Sequence, residues 1–337
     1  MLRAVLVGLG AVGARSARQL LSSTVVDGLL VLVRRPHHVA SNVASLDGRG
    51  TVELAELSTE VFVRGLPEAA VVLLAAPVAA PYAGLAVARG VPVVSVADAP
   101  EEVRSLLALG GDARRRGVAV VAGAGMAPGL SCLLAAAAAE GMDEVHEVHV
   151  ATAGTGGPAC ARRRHAALRE LVEEWRDGAW ERKVASSGRE LVWFPELGGA
   201  DCYRTSRADP LLMAEAFPGL RRATTRAAGS RRDRFSSWLP MLRPPHPEGA
   251  VGALRVEVRG RRQVRASTVL LGASGRPAFV AGTVGALAAE LAAARLLKPG
   301  AGGLAALAAS PRELLAELSR RGVRTEVFEG AGPTPTS

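Results

Sequence analysis

The stretch Leu2-Arg3-Ala4-Val5-Leu6-Val7-Gly8-Leu9-Gly10-Ala11-Val12-Gly13 carries the reading on which the rest of the chain depends. An apolar run of strand length meets a Gly-x-Gly-x-x-Gly turn, and a helical pattern from Ala14 to Leu21 follows at once. Between a strand and a helix, that spacing predicts a dinucleotide-binding turn. Gly8 makes the tight turn, Gly10 lets backbone approach a pyrophosphate, and Gly13 packs helix on strand. The helix then offers free N–H groups and its positive dipole end to the phosphates. Gly8, Gly10, Ala11, Val12 and Gly13 are accordingly the first cofactor-binding candidates.

The second strand, Gly28–Val33, is continuously apolar, as strands buried on both faces are. An NAD-preferring site places an acid at its end, against the ribose 2′-hydroxyl. Here Arg34 and Arg35 stand there, while Asp27 precedes the strand. Guanidiniums suit a 2′-phosphate, so NADP is expected ahead of NAD, the alternative being a solvated arginine pair. Further strands are predicted at 51–54, 70–75, 92–96 and 118–122, alternating with helical patterns. This predicts an α/β fold, a Rossmann doubly wound parallel sheet over residues 1–140, completed by a small-residue helix at 282–297.

After residue 142 the pattern changes. Strands at 145–152, 190–194, 251–259 and 264–272 follow with one helix among them, at 159–175. That predicts a second α+β domain over 141–281, with a mostly antiparallel sheet, for substrate and dimerisation. A C-terminal helix-strand tail occupies 298–337: Ser310-Pro311-Arg312-Glu313 reads as a capping box, Gly322 ends its helix, and Val323–Phe328 forms a strand. Gly330–Ser337 are expected to be disordered.

A length of 337 residues accommodates two domains. The net charge of +9 comes almost wholly from arginine, with Lys183 and Lys298 the only lysines. The arginines are scattered rather than interleaved with stacking aromatics, which points away from nucleic acid and toward small anions. Cys132, Cys160 and Cys202 lie far apart, forming neither a disulfide framework nor a metal site, as in a reducing, cytoplasmic setting. The first apolar run is read as a strand, not a signal peptide. The uncharged stretches Ala69–Ala88 and Val118–Ala139 are each broken by Pro and Gly, and are read as buried strand then buried helix rather than membrane spans.

The segment Val118–Leu130, with Gly123-Ala124-Gly125-Met126-Ala127-Pro128-Gly129-Leu130, resembles the saccharopine dehydrogenase family. The glycine turn at 8–13 and Ala75-Ala76-Pro77 after the fourth strand agree with it. The resemblance implies a Rossmann domain, an α+β substrate domain, a late helix that rejoins the first domain, and nicotinamide-dependent hydride chemistry. It is specific over the first 140 residues and architectural to about 297. It also implies departures. Ala127 stands where saccharopine-forming reductases carry Asp, and Val78 where they tend to carry Tyr, with Tyr82 one turn later. Lys183 is the only lysine available to a Lys/His pair in the second domain.

Ligands of open α/β sheets bind beyond the carboxyl ends of the strands. Ala75, Ala76 and Pro77 are placed under the ribose and nicotinamide. Asp98 is either a ligand for a substrate amine or ribose hydroxyl, or the N-cap of a helix starting near Pro100. Gly154-Thr155-Gly156-Gly157-Pro158 leads into a helix with Arg162, Arg163, Arg164 and His165, a pattern suited to a carboxylate, with Arg162 and Arg169 read as solvated. No catalytic group is fixed. The candidates are Asp98, His165 and Tyr203, although a lone helical His and a lone Tyr are more often structural. Cys202 has basic neighbours that could favour a thiolate, but no His partner in sequence supports a nucleophile. Met126, Arg163, Arg164 and Arg232 are the substrate-binding candidates, and Trp175, Trp180, Trp193 and Trp238 are read as packing. The function expected is a homodimeric NADP-dependent oxidoreductase acting on a small anionic imine or carbonyl. The alternatives are a non-catalytic NADP-binding or sensing module and a scaffold for an acidic partner.

Overall fold

The computed structural model describes residues 3–46, 48–77, 80–230 and 249–328. Val78, the Arg231–Arg234 cluster with Arg232, Trp238 and the Gly330–Ser337 terminus lie outside the described residues. Strands β1 (Arg3–Val7), β2 (Gly28–Val33), β3 (Thr51–Glu56), β4 (Ala69–Leu74), β5 (Val93–Ser95) and β6 (Ala119–Ala122) form a parallel sheet in the order 3-2-1-4-5-6. Their Val, Leu and Ala runs are buried on both faces at the centre of the sheet, and β2 is buried throughout. Helix α1 (Ala11–Leu21) follows β1, and α2 (Ala40–Ala44), α3 (Thr59–Gly65), α4 (Ala80–Ala88), α5 (Pro100–Leu107) and α6 (Gly110–Arg116) lie in the later crossovers. The two uncharged stretches resolve as β4 then α4, and as β6 then α7 (Leu130–Ala139). Among the described residues, no helix is long and apolar enough to cross a membrane.

The second sheet runs β10-β11-β12-β7-β13-β14-β16. Its strands are β7 (Glu144–Ala153), β10 (Glu190–Phe194), β11 (Gly198–Arg204), β12 (Arg222–Ala228), β13 (Gly252–Arg262), β14 (Arg265–Gly275) and β16 (Arg324–Phe328). A hairpin of β8 (Leu171–Arg176) and β9 (Ala179–Val184) attaches to β12. Every pairing is antiparallel except β7 with β12. Helices α8 (Pro158–Ala167) and α9 (Asp209–Ala216) belong to this half of the chain.

Several boundaries differ from the sequence reading. The helix expected over 159–175 ends at Ala167, and residues 171–176 form β8. Leu171-Val172-Glu173-Glu174-Trp175 looks helical because Glu174 is an acid, yet Glu174 points inward and is 3% exposed. Arg204 of β11 donates to it at 2.8 Å, so a buried ion pair takes the place of an apolar residue. The helix expected at 282–297 is α10 (Pro277–Ala293). Helix α11 (Leu304–Leu307) and α12 (Pro311–Arg320) follow. Ser310 precedes α12 but makes no side-chain cap, so the capping box does not close. Instead Arg321, just after that helix, grips Glu290 of α10 through two 2.8 Å hydrogen bonds. The tail is divided between the sheets: β15 (Gly300–Gly302) extends the parallel sheet beside β6, and β16 pairs with β14.

Helix α10 ties the late chain to the first turn of the fold. Ser16 of α1 donates from Oγ to the Gly282 carbonyl at 3.0 Å. A Cβ on Gly282 would lie 2.5 Å from Arg15 Cβ and 3.0 Å from the Val12 carbonyl. The two backbones therefore approach as closely as glycine allows. Gly282→Leu is expected to lower the unfolding free energy by about 1–3 kcal/mol or more, through overpacking. Denaturant titration checks this, and an unchanged midpoint contradicts the close packing of α1 on α10.

Candidate active site

The glycine turn has the geometry its spacing predicts. Gly8 has φ +95°, and a Cβ there would lie 2.9 Å from the Ala75 carbonyl oxygen. A Cβ on Gly13 would lie 2.1 Å from the Gly8 oxygen, so the third glycine is what lets α1 close on β1. A Cβ on Gly10, by contrast, would meet nothing within 4 Å. The turn leaves open space where a pyrophosphate would lie, and the first turn of α1 holds no acid to repel it. Asn42 braces the turn from α2, its Nδ2 donating to the Leu9 carbonyl at 2.8 Å. These residues fit a dinucleotide. Arg34 and Arg35 are exposed just past β2, beside the end of β1, and make no ion pair among the described residues.

Gly10, Ala11 and Val12 line one end of a cavity of about 700 Å³, together with Ala75, Ala76 and Pro77. That size suits a cofactor-and-substrate cleft. Its floor is Gly125, Met126 and Ala127, and its far wall is the second glycine turn with the start of α8. The cavity therefore spans both domains.

Its polar wall converges on Asp98, at the end of β5. Asp98 Oδ1 is 3.5 Å from Arg163 Nε, and Oδ2 is 3.4 Å from Arg207 Nη2. The Asp98 carbonyl accepts from Ala208 N at 3.0 Å, fastening the 205–208 segment to the parallel sheet. Arg163 also donates to Glu170 at 2.7 Å and to the Ser206 carbonyl at 2.8 Å. Arg207 donates to the Ala127 carbonyl, and its Nε lies 3.7 Å from Asp209 Oδ2. Asp209 is fully buried and accepts from Ser131 Oγ at 2.6 Å; burial holds its carboxyl above the usual range. The Nε atoms of Arg163 and Arg207 are both buried without a hydrogen-bond partner.

The predicted residues fall into two groups. Gly10, Ala11, Val12, Ala75, Ala76, Pro77, Asp98, Met126, Arg163 and Arg164 all line the cavity. Asp98 is not an N-cap: Ala99 occupies that position, with no side-chain cap bond, because the arginines hold the carboxylate instead. Arg162, read as solvated, is exposed yet also lines the cavity. Arg164 donates to the Ala228 carbonyl.

His165 and Tyr203 do not line the cavity. His165 is half-buried on α8, and Tyr203 is 1% exposed within β11, a core residue. Cys202 is no thiolate, since burial pushes its thiol up to about 12. Lys183 sits on β9, paired with Glu181 at 2.8 Å. Tyr82 stacks edge-on against Phe62 at 4.9 Å, and Trp175 against Trp180 at the same distance. Trp193 is 62% exposed rather than packed.

No group of three metal-ligating side chains occurs among the described residues. Arg207 is the residue sequence reasoning missed. The signal available was Arg207-Ala208-Asp209-Pro210, an arginine just ahead of an acid at a helix start.

The fold and turn define the class: a Rossmann-type domain coupled to an α+β domain across a cleft. No protein-family model matches the chain, and no curated protein sequence does. Among solved structures, the chain is similar to apo saccharopine dehydrogenase (L-Glu forming) from Saccharomyces cerevisiae, with a TM-score of 0.68 at 12% identity. That match covers 97% of this chain and 100% of the other. DAP dehydrogenase of C. glutamicum in complex with DAP matches at a TM-score of 0.48 and 17% identity, over 96% of this chain and 99% of that one. A probable dehydrogenase from Thermotoga maritima matches at 0.49 and 11%, over 97% and 98%. At 12% identity the likeness to the first of these is one of fold, and it agrees with the architecture that the sequence resemblance implies.

The empty space at Gly10 yields a sharp test. Gly10→Val is expected to leave thermal stability nearly unchanged, within about 0.5 kcal/mol, and to abolish dinucleotide binding. Calorimetric melting and a cofactor titration check both halves. Retained binding by a folded variant contradicts the assignment of the turn.

Proposed function

We propose that the protein is an NADP-dependent oxidoreductase that transfers hydride between nicotinamide and a small anionic substrate, with an imine favoured over a carbonyl. The observation that carries this reading is the single cavity joining the Gly10 turn to the Asp98–Arg163–Arg207 cluster. A bound nicotinamide supplies or accepts the hydride. The chain's own residues would hold the pyrophosphate at Gly10–Val12, leave room for the nicotinamide over the small side chains Ala75–Pro77, and anchor the substrate's negative charge at the arginines.

The imine preference rests on the titratable groups available. Those lining the cavity among the described residues are Asp98, Glu101, Glu102, Cys160 and arginines 162–164 and 207. No His, Lys or Tyr is among them. Reducing a carbonyl leaves an alkoxide that needs a proton donor. A protonated imine brings its proton with it: hydride adds at carbon, the π pair moves to nitrogen, and a neutral amine results. The same lining supports a second reading, a module that binds NADP without turning it over. Arg34 and Arg35 support NADP as the cofactor, and a homodimer belongs to the same proposal.

Titration with NADPH and NADH, followed by nicotinamide fluorescence, tests the cofactor. NADPH is expected to bind at least about tenfold more tightly, and Arg34→Ala/Arg35→Ala to remove that difference while leaving NADH binding in place. Equal affinities in the wild type contradict the role given to the two arginines.

A further inference from the structure

We infer that Asp98 is a specificity-determining counter-ion, which makes the Arg163–Arg207 anchor accept a carboxylate accompanied by a positive charge and turn away a bare carboxylate. The inference rests on the cavity being the substrate site proposed above, and it is independent of which cofactor binds. Two guanidiniums face the same part of the cavity, 20% and 17% exposed. Each already has one acid of its own, Glu170 on Arg163 and Asp209 on Arg207. Asp98 lies between them as a shared third carboxylate.

The contacts to Asp98 are not saturated. At 3.5 and 3.4 Å they are ion pairs without hydrogen bonds, and both Nε donors remain unpartnered. The anchor therefore presents guanidinium surface to the cavity, but little positive charge left uncompensated. An incoming carboxylate meets that surface and the Asp98 charge at close range. In a partly desolvated cleft that repulsion is large. It is offset when the ligand carries a cationic nitrogen able to face Asp98, which is 29% exposed. Glu101 and Glu102 line the same cavity from α5 and Arg162 and Arg164 from α8, so the local preference for a cation is set by Asp98 itself.

Succinate and L-aspartate share a carbon skeleton and differ by one ammonium group, so they are suitable probes. Ligand-detected NMR titration of the full chain, with and without saturating NADPH, reads their affinities. The wild type is expected to bind L-aspartate at least about tenfold more tightly than succinate. Asp98→Asn is expected to improve succinate binding about tenfold and weaken L-aspartate binding, reversing the order. Asp98→Ser repeats the test without an amide, and unchanged melting of either variant verifies the fold. Equal binding of the two probes by the wild type, detectable or not, overturns the inference, as does a failure of succinate to gain on Asp98→Asn. A protein that discriminates the probes but binds no NADPH retains the inference and loses the oxidoreductase reading.

Discussion

The constraint on which the rest of the structure depends is the approach of α1 to β1 at Gly8 and Gly13. There is no room for a side chain between Gly13 and the Gly8 carbonyl, nor between Gly8 and Ala75 on the neighbouring strand connection. Because α1 is pulled in this far, its N-terminus is presented at the edge of the sheet, with open space at Gly10. The same inward position gives α10 a surface to pack on, through Ser16 and Gly282. Helix α10 brings the second half of the chain back, and its first residue, Pro277, helps to line the cavity. A short segment of backbone thus determines where the cofactor site opens and how the second domain returns to it.

The facing wall is set by electrostatics more than by close packing. Asp98 closes one side of the seam through its carbonyl on Ala208 N, and Arg207 closes the other through the Ala127 carbonyl. The buried Asp209 and Ser131 hold Arg207 from behind. Such a cluster is costly to desolvate unless its members are paired, and most of them are. The exceptions are Nε of Arg163, Nε of Arg207 and Oδ2 of Asp209, all buried.

The parallel sheet was almost entirely legible in the sequence, because its central strands are apolar runs bounded by glycine or by charge, and β3 shows the alternation of Val52 and Leu54 with Thr51 and Glu53. Only β15, which is Gly300-Ala301-Gly302, has no apolar signal, since it is recruited by pairing with β6. The second domain was read less well. Strands β8, β9, β11 and β12 went unseen: β8 and β12 carry Glu174, Thr224 and Arg226 at buried positions where the alternation expects apolar residues, β11 opens on Gly198-Gly199-Ala200-Asp201, and β9 buries none of its residues. Glu174 is held inside by Arg204, and Arg226 reaches outward to the exposed Glu190. The candidate site divided the same way. The glycine turn and Asp98 could be named from strand ends alone, whereas Arg207 reaches the cavity only because the 205–208 segment is fastened to Asp98, a tertiary contact with no local signature.

Amide hydrogen exchange with and without saturating NADPH tests the central claim most directly, namely that cofactor and substrate meet in the cleft between Gly10 and Asp98. The account predicts slowed exchange at residues 8–13 and 75–76, extending across the cleft to 125–127 and to the 154–160 turn. Protection confined to other surfaces, or no change on adding NADPH, would contradict it.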